Sequence, residues 1–150
     1  MRIMVAVALA EPPLVKIGFR NEDGEVETLW AFDLGGGRYR LDNTPWFQYG
    51  VSTKDIVEAA PDDGMPFFQR VLEKSGYRTV RVLLDEPATE QFLAQIRNLG
   101  CSYEGATPKF LGIDIPPAVE LSCVTAFLIG EGVQWEYADP TYEDVHGQAT

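Results

Sequence analysis

The chain has 150 residues, 45% of them hydrophobic and 23% charged, a composition that is typical of globular proteins and excludes a disordered or fibrous chain. Its formal charge of −11 argues against binding to nucleic acid, whose phosphates are held by lysine and arginine clusters, and favours a basic partner. The apolar run at residues 3–10 is too short for a signal peptide, and no stretch approaches the roughly 20 apolar residues of a membrane span. These features predict a cytoplasmic protein with no membrane partner.

Alternating apolar residues and turn signals predict short strands throughout the first half. Val15, Ile17 and Phe19 alternate with polar residues, as in a half-buried strand, and a turn at Asn21–Gly24 follows. Further strands are predicted at residues 25–33, 38–41, 46–51, 55–59, 67–73 and 77–84. The last two are expected to pair with each other across residues 74–76. Strands of this length and spacing predict a small antiparallel barrel or a strongly curled sheet.

The second half changes from strand spacing to helical spacing. Thr89 is predicted to cap a helix that ends at Gly100, and Pro116-Pro117 to open a second helix that stops near Gly132. Strands are predicted around these helices at residues 80–84, 101–104, 110–115 and 133–137. The order β-α-β-β-α-β is that of the ferredoxin-like motif. Right-handed crossovers would place both helices on one face of the sheet, so that the other face meets the barrel-like half.

The predicted fold class is therefore α+β, with residues 1–75 as a β-rich barrel-like half, 76–140 as a ferredoxin-like half and 141–150 as a polar tail. The charge divides unevenly between these parts. From Asp85 onward, eleven acids and two bases leave a net charge of −9, whereas the first 84 residues carry −2. An acidic surface is thus expected on the second half, where it either stays solvated or meets a basic partner.

The residue types of common catalytic sites are scarce. His146 is the single histidine and falls in the polar tail, which argues against a Ser-His-Asp or Cys-His arrangement. Cys101 and Cys123 form no Cys-x-x-Cys motif, so both are predicted to be buried free thiols and no zinc site is expected. The glycines at 35–37 lack the Lys-Ser or Lys-Thr of a phosphate loop and predict a hairpin loop. No catalytic residue, metal or cofactor is therefore predicted.

Carboxylates keep one enzymatic alternative open. Asp62-Asp63 and the acids around Asp139 lack the ligand spacing of a calcium loop and are expected to be solvated. Catalysis by paired carboxylates depends on their separation in space, which the sequence does not give. A carboxylate- or metal-dependent enzyme, with Asp42 as the position to mutate, is therefore the third hypothesis.

Two pairs of adjacent aromatic residues need an explanation, because neighbouring residues of a strand point to opposite faces. One member of each pair must therefore face the seam between the halves, a ligand groove or another chain. The two pairs are Trp46 with Phe47 and Phe67 with Phe68. Five arginines lie on the same predicted strands, at Arg38, Arg40, Arg70, Arg78 and Arg81. They either line a groove for an anion or pair with neighbouring acids.

Four blocks of the chain resemble a bacterial family catalogued as domain of unknown function 4265. They are residues 29–31 (LWA), 37–52 (GRYRLDNTPWFQYGVS), 55–59 (DIVEA) and 73–81 (EKSGYRTVR). The resemblance extends from about Val15 to Tyr142 and leaves His146 outside it. It implies family membership but transfers no activity and no catalytic residue.

The leading hypothesis is a non-catalytic acidic binding protein, such as an immunity or antitoxin-type inhibitor of a basic bacterial protein, for instance a nuclease toxin. It rests on the acidic second half, the small size and the missing catalytic motifs. The acids expected to meet the partner are Glu90, Glu120, Glu131 and Glu136.

The alternative hypothesis is a small-molecule sensor or regulatory domain whose ligand lies between the two halves. Trp46, Tyr49 and Phe68 would contact the ligand, and Arg40 or Arg81 would receive an anionic group. A homodimer that forms through an open sheet edge is compatible with either hypothesis.

Overall fold

The computed structural model describes residues 11–147, so the apolar run at residues 3–10 lies outside the described residues. Nine strands and three helices are found in this range. The strands are β1 (Leu14–Arg20), β2 (Val26–Gly35), β3 (Arg38–Leu41), β4 (Ile56–Asp62), β5 (Met65–Glu73), β6 (Arg78–Leu83), β7 (Ser102–Thr107), β8 (Phe110–Ile115) and β9 (Gln134–Asp139). The helices are α1 (Glu90–Asn98), α2 (Leu121–Glu131) and α3 (Tyr142–His146). The predicted α+β class is confirmed, with mostly antiparallel strands in two sheets.

The first sheet contains β1 to β5 in sequence order and closes into a barrel where β1 meets β5 in parallel at Gly18 and Phe67. Alternate apolar residues fill its interior, as their spacing predicted. Phe68 enters this core, where its ring stacks on Phe19 at 4.9 Å between centroids. Phe67 lies on the other side of β5 over Gly18, and the Arg20 guanidinium covers its ring at 3.8 Å.

The second sheet has the strand order β7-β8-β6-β9, with all neighbours antiparallel. The Thr89 side chain accepts a hydrogen bond from the Phe92 N–H at the start of α1, which confirms the predicted cap. Gly100 follows the last turn with a positive φ of 94°, a conformation that costs glycine little. Helices and sheet enclose one buried cluster: Val80, Val82, Phe92, Ile96, Cys101, Leu111, Ile113, Ile115, Val124 and Leu128.

The second helix differs from its prediction in two respects. The first is its start, which lies at Leu121 rather than at Pro116-Pro117. Its end agrees with the prediction, because the helix stops at Gly132, which adopts the left-handed conformation. Val124 and Leu128 form its buried stripe. Cys123 is exposed, so the prediction of a second buried thiol is wrong, because a residue next to Val124 is rotated about 100° around the helix from the core. Cys101 is buried as predicted, and burial raises the pKa of its thiol to about 11.

Two predicted strand features are also wrong. Residues 46–51 form no strand, because their N–H and C=O groups bond to side chains of other elements instead of a neighbouring strand. Strands β5 and β6 form no hairpin, since β5 pairs with β4 and β1 while β6 pairs with β8 and β9. The chain passes from one sheet to the other between them, through the turn at Gly76.

Among residues 11–147, no helix is long and apolar enough to cross a membrane.

The face of the second sheet opposite the helices meets the irregular segment at residues 44–52. Glu136 of β9, Arg81 of β6 and Gly112 of β8 form one row across this face. Gly112 lets the segment approach, because a Cβ at this position would lie 2.6 Å from the Thr44 Cγ2 atom and 3.4 Å from the Trp46 ring. The Trp46 and Phe47 rings each lie 6.0 Å from that of Phe110. Trp46 is half-buried at the seam, whereas Phe47 is 63% exposed.

Gly112→Ala is expected to destabilise the protein by about 1–3 kcal/mol, since the added methyl group would force the buried Thr44 away from the sheet. The matched control is Gly130→Ala in α2, where a Cβ meets nothing within 4 Å. This change should stabilise by up to about 1 kcal/mol through helix propensity. Urea denaturation of both variants measures the difference, and equal stability of the two would contradict the close approach of the segment.

Candidate functional site

A buried arginine organises the seam. The Arg81 side chain is 2% exposed, and its guanidinium donates to the backbone oxygens of Pro45 (3.3 Å) and Gln48 and to Glu136 Oε1 (3.2 Å). The Tyr49 ring lies 5.0 Å from the same guanidinium. Because arginine presents five N–H donors in a planar fork, one side chain can satisfy acceptors from both halves.

The segment at residues 46–48 is fixed on its other side by a carboxylate. Glu27 of β2 accepts hydrogen bonds from the N–H groups of Trp46 (2.5 Å), Phe47 (3.2 Å) and Gln48 (3.1 Å). Successive N–H groups that converge on one anion form a backbone nest. The barrel thus holds the N–H groups of this segment while Arg81 of the second sheet holds its carbonyls.

A second polar cluster lies where the chain passes between the sheets. Lys74 Nζ lies 2.5 Å from Asp55 Oδ2 and 2.5 Å from Asp139 Oδ2. Ser52 donates to Asp139 at 2.6 Å and lies 2.7 Å from the Thr79 hydroxyl. The Ser52 hydroxyl cannot act as a nucleophile toward an outside substrate in this arrangement, because the residue is fully buried. The cluster therefore joins the two halves through Lys74, Asp55 and Asp139.

Asp114 is the most strongly perturbed acid of the seam. Its Oδ2 accepts from the Thr44 hydroxyl at 2.6 Å, whereas its Oδ1 is buried and has no hydrogen-bond partner among the described residues. Burial raises the pKa of this carboxyl to about 7, the Thr44 hydrogen bond opposes the rise, and nearby Glu104 adds to it. Asp114 thus changes its protonation near neutral pH.

An open groove runs along β9, and we call it the β9 groove. It has a volume of about 860 Å³ and is lined by Tyr49, Ile129, Trp135, Glu136, Tyr137, Thr141, Tyr142, Glu143 and His146.

The Thr141 side chain accepts from the Asp144 N–H, and the Asp144 carboxylate accepts from the Thr141 N–H, so a capping box begins α3. Both hydrogen bonds hold the pKa of Asp144 below its usual value, and the one from the Thr141 backbone N–H has the larger effect. The predicted polar tail is thus helical over Tyr142–His146.

The aromatic residues of the groove pack against one another. The ring centroids of Tyr142 and His146 are 4.5 Å apart, those of Trp135 and Tyr137 are 4.8 Å apart, and those of Tyr137 and His146 are 5.8 Å apart. Rings this close leave no room for a group between them. They form a continuous aromatic wall, on which a planar or apolar group can stack.

The charged residues that line the groove are acidic. Glu136 and Glu143 contribute carboxylates, and no lysine or arginine is among the lining residues. Burial and the hydrogen bond that Tyr49 donates to Glu136 (2.8 Å) raise the pKa of the tyrosine, so it stays a neutral donor. Cations are attracted both by carboxylates and by the faces of aromatic rings. The β9 groove is therefore suited to a cationic group.

The four acids that the sequence predicted as partner-binding residues do not lie together. Glu136 lines the β9 groove and contacts Arg81 and Tyr49. Glu90 is exposed at the start of α1 and pairs with Arg97, whereas Glu120 and Glu131 are exposed at the two ends of α2. The helices lie on the opposite face of the sheet from the Glu136 side chain.

The residues predicted to bind a small molecule are also divided. Tyr49, Trp46 and Arg81 meet at the seam, and Tyr49 lines the groove. Phe68 is part of the barrel core. Arg40 lies on β3, with its guanidinium 5.0 Å from the Phe32 ring and 3.8 Å from Glu11. No group of three or more histidine, cysteine, aspartate or glutamate residues within 11–147 is placed to hold a metal ion.

Sequence reasoning missed most of the aromatic wall. Trp135 and Tyr137 stand two residues apart on a strand, and Tyr142 and His146 stand four apart, which is the spacing of one helix face. These spacings could have predicted two aromatic pairs. The contact between the pairs depends on the chain reversal at residues 139–141, which the sequence pattern did not indicate.

The fold and the groove define a two-sheet α+β protein with an aromatic, acidic groove beside one edge strand. A family model described as a domain of unknown function (DUF4265) matches residues 27–137, which confirms the resemblance seen in the sequence. The chain belongs to this family. No curated protein matches it.

A solved structure titled "Novel crystal structure of a hypothetical protein from Neisseria gonorrhoeae" is similar to this chain. The TM-score is 0.71 at 17% sequence identity, and the match covers 88% of this chain and 96% of that one. At this identity the likeness shows a shared fold and carries no activity to this protein.

Arg81→Met is expected to lower the free energy of unfolding by about 3–5 kcal/mol, because it leaves the oxygens of Pro45 and Gln48 without their buried donor. The control is Arg70→Met, which removes an exposed pair with Glu58 and should cost less than about 1 kcal/mol. Chemical denaturation compares the two variants. A loss for Arg81→Met as small as that for the control would show that the buried guanidinium does not hold the seam.

The free energy of unfolding should decrease as pH rises from about 4 to about 7, because the Asp114 carboxyl keeps a proton in the folded state that it has lost in the unfolded chain. Each pKa unit is worth about 1.4 kcal/mol. Asp114→Asn is expected to remove this slope and to be more stable than the natural protein at pH 8. Exposed Asp85→Asn serves as the control and should keep the slope. Urea denaturation at several pH values tests this, and an unchanged slope in Asp114→Asn would contradict it.

Proposed function

We propose that this protein is a non-catalytic binding protein whose acidic second half receives a basic protein partner. The observation that carries the proposal is the β9 groove, in which an aromatic wall stands beside Glu136 and Glu143 and no lysine or arginine is among the described residues that line it. A guanidinium is planar, so it can stack on the wall while its edge donates hydrogen bonds to a carboxylate. An arginine of the partner is the group that uses both properties of the groove.

The rest of the second half supports such an encounter. Its net charge of −9 would steer a basic protein toward this side of the molecule and raise the association rate at low ionic strength. The exposed acids Glu90, Glu120 and Glu131 contribute to that field from the helical face. The partner we propose is a basic bacterial protein such as a nuclease toxin, inhibited in the cytoplasm, because enzymes that act on nucleic acid need cationic surfaces.

The finer architecture we propose is a small barrel joined to a ferredoxin-like half. The order β-α-β-β-α-β in the second half and the strand order β7-β8-β6-β9 support it. Both folds carry many unrelated functions, so the architecture places the groove without choosing its ligand.

The volume of the groove favours a second candidate, a sensor of a small molecule. About 860 Å³ lies within the range of ligand pockets, roughly 300–1,000 Å³. The ligand would be a cation rather than the anion first considered, because Arg81 already donates to three protein acceptors and Arg40 is distant in the fold. Quenching of Trp135 fluorescence by a small organic cation, measured with Trp30 and Trp46 replaced by phenylalanine, would support this candidate.

Glu143→Lys is expected to weaken binding of a hexa-arginine peptide by about tenfold, because it replaces an attraction in the groove by a repulsion. Glu120→Lys changes the net charge by the same amount at the far end of α2 and should weaken binding by less than about twofold. Isothermal titration calorimetry at two salt concentrations measures both. If the two variants weaken binding equally, the peptide senses only overall charge and the groove is not the site.

A further inference from the structure

We propose that the basic partner supplies an extended segment that adds to the open edge of β9 as a further strand of the second sheet. The inference rests on the proposed function and deepens it, because it states how the partner is held. Addition of a strand uses the backbone of the partner for affinity and alternate side chains for specificity.

The outer edge of β9 is available over Gln134–Tyr137. β9 stands last in the strand order and pairs with β6 on one side. Among residues 11–147, no other backbone hydrogen bond reaches Gln134–Tyr137, whereas the Ala138 carbonyl accepts from the Gly50 N–H at 2.8 Å. Edge strands present unpaired N–H and C=O groups that another chain can use. The open part of β9 is thus four residues long and ends at Gly50.

The β9 groove includes side chains from both faces of this edge strand. Trp135 and Tyr137 pack against the core on the helical face, whereas Glu136 points to the opposite face, where it bonds to Arg81 and Tyr49. An added strand would therefore find the aromatic wall on one side and the Glu136 carboxylate on the other. Since side chains of a strand alternate in direction, each face can receive every second residue of the partner.

The other edge of the sheet is less suited to the same use. Strand regularity does not separate the two edges, because β7 carries a bulge between Gly105 and Thr107 and β9 carries one between Tyr137 and Asp139. The difference lies in the side chains around β7. The hollow beside it has about 400 Å³ and a lining with no charged side chain: Ala88, Leu93, Tyr103, Gly105, Ala106, Thr107, Pro108 and Leu111. An open edge, the aromatic wall and the carboxylates therefore coincide at β9.

The acidic residues at β9 indicate which kind of segment binds this edge. The open part of β9 contains Glu136 and no basic residue, and Glu143 stands nearby in the groove. A second copy of the chain would bring like charges together, on molecules that each carry −11. A segment that alternates arginine with apolar residues would oppose these acids with cations. The occupant is therefore a basic extended segment of another protein.

The experiment compares three peptides on the full chain by isothermal titration calorimetry. The first alternates valine and arginine over about seven residues, the length of a typical strand. The other two carry the same sequence with N-methyl groups on the odd-numbered or on the even-numbered backbone amides. Alternate amides of a strand point to opposite sides, so strand addition requires one set of amides and leaves the other in solvent.

The expected result is that the parent peptide binds, that one methylated peptide loses at least about tenfold in affinity, and that the other stays within about threefold. Amide hydrogen exchange should slow within Gln134–Tyr137 when the parent peptide binds. If all three peptides bind alike, strand addition is overturned and binding of a basic partner survives. If none binds, the proposed function itself is overturned. A dimer in solution with these amides already protected would also overturn the inference, since a second copy would occupy the edge.

Discussion

The structure depends on one buried cation, the guanidinium of Arg81. It extends from the centre of the second sheet and donates to two carbonyls of the segment that connects β3 to β4 of the barrel, and also to Glu136. A buried charge is costly unless its partners are in place, so the native seam must assemble as a unit. The same contacts position Tyr49 and Glu136 beside β9. The interaction that joins the two halves therefore also forms one side of the groove.

The other polar groups of the seam also satisfy one another, both within the barrel half and across to the second sheet. Glu27 receives three N–H groups of the irregular segment, and Lys74 lies between the carboxylates of Asp55 and Asp139. Such contacts are directional, so they fix the relative position of the halves more narrowly than apolar packing would. Asp114 is the exception, because one of its oxygens is buried without a partner among residues 11–147 and its pKa rises to about 7.

The candidate site could be predicted from the sequence only in part. Glu136 was selected because it is an acid of the acidic half, and Tyr49 because it follows a turn among other aromatic residues. The structure brings both to the same groove. Trp135, Tyr137, Tyr142 and His146 were missed, since each pair has an ordinary local explanation as core or tail. These side chains contact one another only because α3 folds back on β9, and the sequence of neither element alone predicts that contact.

The sequence by itself determined the features that depend on neighbouring residues: strand alternation, the Thr89 cap, the Gly100 and Gly132 stops and the acidity of the second half. These follow from local backbone sterics, hydrogen bonds within a few residues, and composition. Tertiary structure decided that residues 46–51 form no strand, that β5 and β6 join different sheets and that Cys123 faces solvent. Such outcomes depend on partners that are distant in the chain, such as Arg81 for Gln48, because a backbone group bonds to whichever partner the whole fold brings within reach.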